Sequence, residues 1–292
     1  MTKQRGKTMA KPRISSPETE EKYRICLEGF QNWLEKNNKS PNTIRVYLAA
    51  MRQYFELYPS VNPENLMLYK CYLIDHYKTR TVNQRIRAIN SYVEFLDLPY
   101  SRLFMIRQQQ KPFLENVISQ ADYEYLIACL LRDRKMPYYF AVRTMATTGM
   151  RVSELVRLRV EDVRRGYVDL RSKGNRIRRV FIPKAIRLPC LNWLNSIGRS
   201  SGYVFLNRLG SQITVSGIRD QLKHFADIYN LNASVVYPHS FRHLFAKNFI
   251  ERCGDIAMLS DILGHESIET TRIYLQRSSA EQQQIFNKIV DW

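Results

Sequence analysis

Hydrophobic positions in the first third of the chain recur at helical spacing four times over. Tyr23, Leu27, Phe30 and Leu34 make one stripe. Ile44, Tyr47, Met51 and Phe55 make a second, with Ser40 and Pro41 as an N-cap and first-turn pair. Asn62 and Pro63 repeat that device ahead of Leu66, Tyr69, Leu73 and Tyr77, and Thr81 opens a fourth helix on Val82, Ile86, Ile89, Val93 and Leu96. Between Pro99 and Pro112 the periodicity lapses, so 99–115 reads as a linker. The pattern restarts at Ser119, whose spacing to Asp122 is that of a capping box. A helix from Pro137 to Thr148 follows, with Gly149 as its C-cap, and then a short one from Ser153 to Arg159. The period then changes: Tyr167–Leu170 and Ile177–Ile182 are β-prone runs around a charged turn, which predicts a hairpin. Helices resume at Pro183, and the last, over 279–292, carries Ile285, Phe286, Ile289 and Val290.

These elements predict a mainly α fold with a small β-hairpin in its second half. They are divided into a tail (1–16), an all-helical domain (17–98), the linker (99–115) and a mixed α/β domain (116–292). No apolar run is long enough to span a membrane and none follows the basic N-terminus as a secretory signal would, so no membrane association is expected. The five cysteines are widely spaced, matching neither a disulfide framework nor paired metal ligands, and a reduced cytoplasmic setting is the expectation.

Charge changes the picture. The 292 residues hold 45 Lys and Arg against 27 Asp and Glu, a net charge of +18 that favours a polyanionic partner. Arg45, Arg52, Arg85 and Arg87 lie on the second and fourth helical patterns, where they are candidates for a DNA-gripping face. From Arg157 to Arg187 there are 11 basic residues and 3 acidic ones, which adds Arg176 and Arg178 to those candidates.

Three short segments place reactive groups where a packed core would not want them. Thr148 to Leu155 sets Arg151 just past a glycine break, with Glu154 one turn on to orient it. Pro238 to His243 puts His239 in a first helical turn and Arg242 three residues later. Leu263 to Tyr274 leaves His265 in a turn behind Gly264, with Ser267 as cap of the next helix and Tyr274 about two turns into it. Two arginines, histidines, a hairpin lysine and a tyrosine suffice to break a phosphodiester without metal. Tyrosine attacks phosphorus, guanidiniums hold the non-bridging oxygens, and an acid protonates the leaving oxygen.

At these residues the chain resembles the tyrosine recombinase (phage-integrase type) family. The Thr-Gly-x-Arg-x-x-Glu-Leu box is Thr148 through Leu155, and the His-x-x-Arg-His box is His239 through His243. The Leu-Gly-His box is Leu263 through His265, with the tyrosine nine residues past its histidine at Tyr274. The family lysine sits in a hairpin turn after the first box, where this chain has Lys173. The resemblance implies Arg151 and Arg242 as phosphate clamp, Lys173 as general acid and His239 as general base. It also implies His265 as phosphate ligand, Tyr274 as nucleophile, and Glu154 and His243 as supporting residues. It further implies four protomers on two duplexes with short inverted-repeat core sites, a 3′-phosphotyrosyl intermediate and a Holliday junction. No cofactor is implied, and an accessory or partner recombinase is compatible with it. No further domain pattern precedes Tyr23, so the likeness is to short two-domain members that resolve chromosome dimers or transposon cointegrates. Three other readings stand beside it: a type IB topoisomerase-like nicking-closing enzyme, a catalytically silent DNA-binding protein, and a zinc hydrolase using His239 and His243. The last lacks the glutamate of a His-Glu-x-x-His motif.

Overall fold

The computed structural model describes residues 17–98, 102–107, 116–171, 177–265, 267–275, 286–287 and 290, with side chains from Tyr23 onward. The basic tail, Lys173, Arg176 and most of the expected C-terminal helix lie outside these residues. The chain divides into two compact units, residues 1–110 and 111–292.

The first unit is four helices: α1 (Pro17–Lys36), α2 (Pro41–Leu57), α3 (Pro63–His76) and α4 (Thr79–Phe95). The Ser-Pro and Asn-Pro starts work as expected: Ser40 accepts from the Thr43 N–H and Asn62 from the Asn65 N–H. The fourth helix begins two residues before Thr81, because the Lys78 carbonyl accepts the N–H groups of both Thr81 and Val82. Phe30, Leu34, Met51, Leu66, Leu73, Val82, Ile86 and Ile89 form a closed core, crossed by edge-to-face aromatic pairs such as Tyr54–Tyr69. Leu96, the last residue of the predicted stripe, caps the helix and is exposed.

Part of the expected linker is bound to this unit. Asn83 and Asn90 stand two turns apart on one face of α4. Each brackets a backbone amide: Asn83 accepts from the Ile106 N–H and donates to its carbonyl, and Asn90 does the same with Leu103. The strip at 103–106 thereby gains the hydrogen bonds a neighbouring strand would supply, and Leu103 is buried.

The second unit comprises α5 (Gln120–Arg132), α6 (Met136–Thr148), α7 (Val152–Leu155), α8 (Val160–Arg165), β1 (Tyr167–Arg171), β2 (Ile177–Phe181), α9 (Lys184–Ser196), α10 (Val215–Ile228), α11 (Pro238–Cys253), α12 (Ile256–Leu263) and α13 (Glu269–Arg272). The mainly helical architecture with one antiparallel hairpin is the predicted class. Helix α6 runs through the middle, with Phe140, Ala141, Val142 and Met145 all buried. The helix expected over Ser153–Arg159 is only the single turn of α7, and α8 begins just beyond that span at Val160. The Leu158 carbonyl and Val160 N–H pair instead with Val204 and Gly202, which stops the first helix. Two cores result. The main one surrounds α6, and a satellite gathers Ala246, Ile250, Leu259, Leu263 and Tyr274.

Replacing Asn90 by Ala leaves the N–H and carbonyl of Leu103 without their partners. A loss of about 2 kcal/mol is expected for the first unit, against about nothing for Asn42→Ala on the exposed start of α2. Denaturant unfolding followed by tyrosine fluorescence measures both, and equal midpoints would show the strip to be an idle appendage.

Candidate active site

Glycine shapes the first segment. Gly149 ends α6 in the left-handed conformation (φ 64°), and a Cβ there would stand 2.6 Å from Phe245 and 2.8 Å from Leu263. The tight crossing brings Arg151, two residues on, against the end of α12. The Arg151 backbone N–H donates to Glu154 Oε2 (2.8 Å), its Nη1 to Oε1 (3.2 Å) and its Nη2 to the Gly264 carbonyl (3.2 Å).

Arg242 is almost wholly buried on α11, donating from Nη1 to the Gly149 carbonyl (2.5 Å) and from Nη2 to the Leu263 carbonyl (2.6 Å). Its Nη2 also lies 3.2 Å from His265 Nε2. Burial, then the charges of Arg151 and Arg178, push its pKa down to about 9, so it still carries its charge at neutral pH. His265 places Nδ1 2.8 Å from the hydroxyl of the fully buried Thr271. Burial, followed by the charges of Arg242, Arg151 and Arg178, pushes its pKa down to about 4. The neutral ring accepts from Arg242 at Nε2 and donates from Nδ1 to Thr271. Because a hydroxyl donates as well as accepts, the same contact serves the other tautomer, which would present Nε2–H to a phosphate oxygen.

Tyr274 follows the single turn of α13, not two turns of helix: Ile268 takes the capping place expected of Ser267, and the helix stops at Arg272. The phenol is buried in the satellite core, and its oxygen lies 2.7 Å from His243 Nδ1. Burial pushes its pKa up to about 12, against the opposing charge of Arg242.

Most of the residues singled out in the sequence meet here: Arg151, Glu154, Arg242, His243, His265 and Tyr274. His239 stands one turn before His243 on α11, its ring centre 6.3 Å from that of His243. It keeps access to solvent, while partial desolvation and then the charges of Arg242, Arg151 and Arg219 lower its pKa. The described residues hold no cluster of three or more His, Cys, Asp or Glu able to take a metal, and His243 Nδ1 is committed to Tyr274.

Arg178 corrects an expectation. It is buried, with Nη2 2.6 Å from Glu154 Oε2 and Nη1 on the Ile262 carbonyl, and so is spent inside the fold rather than presented to DNA. Strand alternation carried the signal, since Arg178 shares the inward face of β2 with Val180 while Ile177, Arg179 and Phe181 face out. The other DNA-contact candidates differ among themselves. Arg45, Arg52 and Arg87 are exposed, the first two lining an open groove of about 640 Å³ beside Glu35 and Lys39. Arg85 is half-buried, bonded to Gln53 and stacked 4.6 Å over the Tyr77 ring. Sequence reasoning also missed Thr271, though it sits between His265 and Tyr274 in the third segment.

The model of the phage integrase family matches residues 116–281. The chain is 28% identical over 256 residues to the tyrosine recombinase XerA of Pyrococcus furiosus, covering 85% of this chain and 88% of that one. It is 24% identical to the TnP I resolvase of Bacillus thuringiensis, covering 89% and 97%. Among solved structures, the transposon integrase of Tn1549 bound to transposon right-end DNA superposes with a TM-score of 0.70 at 16% identity, covering 90% of this chain and 99% of that one. The XerH site-specific recombinase bound to its difH substrate gives 0.65 at 18%, covering 97% and 91%.

Glu154 offers a test of how the arginines are held. Burial alone would raise its pKa, but the charge and hydrogen bond of Arg178, the Arg151 N–H and the Arg151 charge outweigh it and hold the carboxyl below its ordinary value. A carboxylate depressed in the folded state contributes fully above its unfolded pKa of about 4.3, and that contribution is lost as pH falls through the folded value. Glu154→Gln is therefore expected to cost about 2 kcal/mol at neutral pH, with the gap to wild type closing in acid. Urea unfolding across pH measures it. A gap independent of pH would show that the loss comes from packing and not from the carboxylate charge.

Proposed function

The chain belongs to the phage integrase family, and from that premise we propose how its residues divide the work of site-specific DNA recombination by the tyrosine mechanism. The observation that carries the proposal is the meeting of Arg151, Arg242 and His265 at the end of α12, whose Leu259 and Leu263 also pack in one core with Tyr274. Two guanidiniums and an imidazole aimed into one corner form a ready receptor for a phosphodiester.

Arg151 and Arg242 take the non-bridging oxygens of the scissile phosphate, and His265 donates from Nε2 to one of them. Tyr274 attacks phosphorus, forming a 3′-phosphotyrosyl bond as the bond to the 5′-oxygen breaks. Lys173 gives that oxygen its proton, and His239, at the solvent side, is the proton handler of the site. The covalent bond conserves the energy of the broken one, so the 5′-hydroxyl of a partner strand can reverse the attack. What supports this reading of Lys173 is its position in the sequence between β1 and β2, the second of which carries Arg178 to Glu154.

The same proposal extends to assembly. Four protomers act on two duplexes with short inverted-repeat core sites, passing through a Holliday junction, with room for a partner or accessory recombinase. The likeness to the tyrosine recombinase XerA and to the TnP I resolvase supports a recombinase or resolvase role. A cytoplasmic, reducing setting belongs to the proposal as well, supported by five cysteines that are all unbridged thiols.

The central test is covalent capture on a nicked substrate, read by denaturing electrophoresis. Wild type is expected to give a protein–DNA adduct, and Tyr274→Phe is expected to bind the DNA normally and give none. An adduct from Tyr274→Phe at wild-type yield would move the nucleophile elsewhere. Arg242→Lys should cut the cleavage rate roughly 100-fold or more, since a point charge replaces a planar pair of donors. A rate within a few-fold of wild type would remove Arg242 from the phosphate. Assembly is read separately, by sedimentation on one-site and two-site DNA, where four protomers per pair of two-arm sites are expected.

A further inference from the structure

The recombinase reading leaves one buried group without a task. His243 stands one turn deeper on α11 than His239, and of the two it is His243 whose Nδ1 meets the tyrosine oxygen, at 2.7 Å. The rings lie 5.6 Å apart at an interplanar angle of 47°, so the nitrogen addresses the phenol oxygen at an angle and not by stacking. No other proton acceptor among the described residues is recorded within hydrogen-bond reach of that oxygen. We propose that His243 takes the phenolic proton of Tyr274 as its oxygen attacks phosphorus, which makes His243 a catalytic residue of the reaction and not a packing neighbour.

This rests on the recombinase reading above and moves the role of accepting the tyrosine proton, which the family resemblance gives to His239, to His243. The step balances: the Oη–H bond of Tyr274 breaks as an Nδ1–H bond forms on His243. The Oη–P bond forms as the bond from phosphorus to the 5′-oxygen breaks, and that oxygen leaves with a proton from Lys173. Religation runs the same transfers backwards, with His243 returning the proton to Tyr274.

The surroundings make the transfer conditional on substrate. Burial, then His239 and Arg242, push the pKa of His243 down to about 4, while that of Tyr274 stands near 12. With no phosphate bound the proton therefore stays on the phenol. The charged and titratable groups facing this pair are His239 and Arg242 on α11, His265 beyond α12, and Tyr237 just ahead of α11. The positive member closest to acting on His243 is Arg242, which is also a phosphate ligand in the reading above. An anionic phosphate on Arg242 cancels the charge that weakens His243 as a base. Docking of DNA thus strengthens the acceptor at the moment the nucleophile has a target.

The test is single-turnover adduct formation on a nicked substrate, in the full chain. Gln at 243 can still hold the phenol but cannot take its proton. His243→Gln is expected to bind DNA like wild type and to cleave roughly 100-fold more slowly. A ring-fluorinated tyrosine at position 274 needs less help to ionise, so it should restore most of the lost rate in His243→Gln while changing wild type little. Added imidazole should likewise speed His243→Ala. The rate in His243→Gln should keep climbing with pH where wild type has levelled off. Cleavage at or above the wild-type rate in His243→Gln would overturn the proposal, the latter marking the contact as a brake on the tyrosine. A slow variant that neither fluorination, imidazole nor alkali improves would also overturn it, since that is how a merely structural residue behaves. Failure of the wild-type chain to form any adduct would instead count against the recombinase reading itself.

Discussion

The three last carbonyls at the end of one short helix organise this site. A helix leaves its final carbonyl groups without internal partners and gathers partial negative charge there. Helix α12 closes on Gly264 in the left-handed conformation, with the N–H groups of Gly264 and His265 turned back to Asp261 and Ser260. The next three carbonyls each receive a guanidinium: Ile262 from Arg178, Leu263 from Arg242 and Gly264 from Arg151. The three arginines come from β2, α11 and the loop before α7, so one helix end ties together elements far apart in sequence.

Gathering like charges in a half-buried corner is costly, and the structure shows what offsets it. Glu154 bridges Arg151 and Arg178, placing one partly buried anion among the three cations. Gly149 contributes its carbonyl to Arg242 and, by lacking a side chain, lets α6 approach Phe245 and Leu263 closely enough for that bond. Burial first, and then the positive charges around them, depress the pKa of His239, His243 and His265 alike. In the proposed reading a phosphodiester brings a further anion to this corner. The site is preorganised in the sense that its donors are fixed before substrate arrives, which is where such electrostatic stabilisation is most effective.

Legibility in the sequence followed the physics of each feature. Stripes at helical spacing exposed all four helices of the first unit, since each buries one face, and the Ser40-Pro41 and Asn62-Pro63 starts were correct because N-capping is local. Where tertiary pairing overrode local pattern, sequence reasoning failed. The Leu158 carbonyl and Val160 N–H bond to Val204 and Gly202, cutting short the helix expected over Ser153–Arg159, and Asn83 and Asn90 bind a strip that reads as linker. The three motif segments were legible because the reactive groups had no local structural reason to be there. The roles of Arg178 and Thr271 were not, since each depends on a partner that only folding supplies: Glu154 lies 24 residues from Arg178 in the chain.

Tyr274 is held differently from Arg151, Arg178 and Arg242, and the difference has a physical meaning. Arg151, Arg178 and Arg242 are fixed by charge-assisted bonds to backbone carbonyls and to Glu154, which tolerate little displacement. Tyr274 is held by apolar contact in a satellite core with Ala246, Ile250, Leu259 and Leu263, plus one hydrogen bond to His243. Apolar contact is non-directional, so a side chain seated this way can shift by fractions of an ångström without stranding a polar partner. In the roles proposed above, a covalent bond is made and broken at this oxygen while the phosphate ligands stay in place. A rigid receptor beside a softly seated nucleophile meets both demands, and the division between the two falls along the boundary between polar and apolar packing at the end of α12.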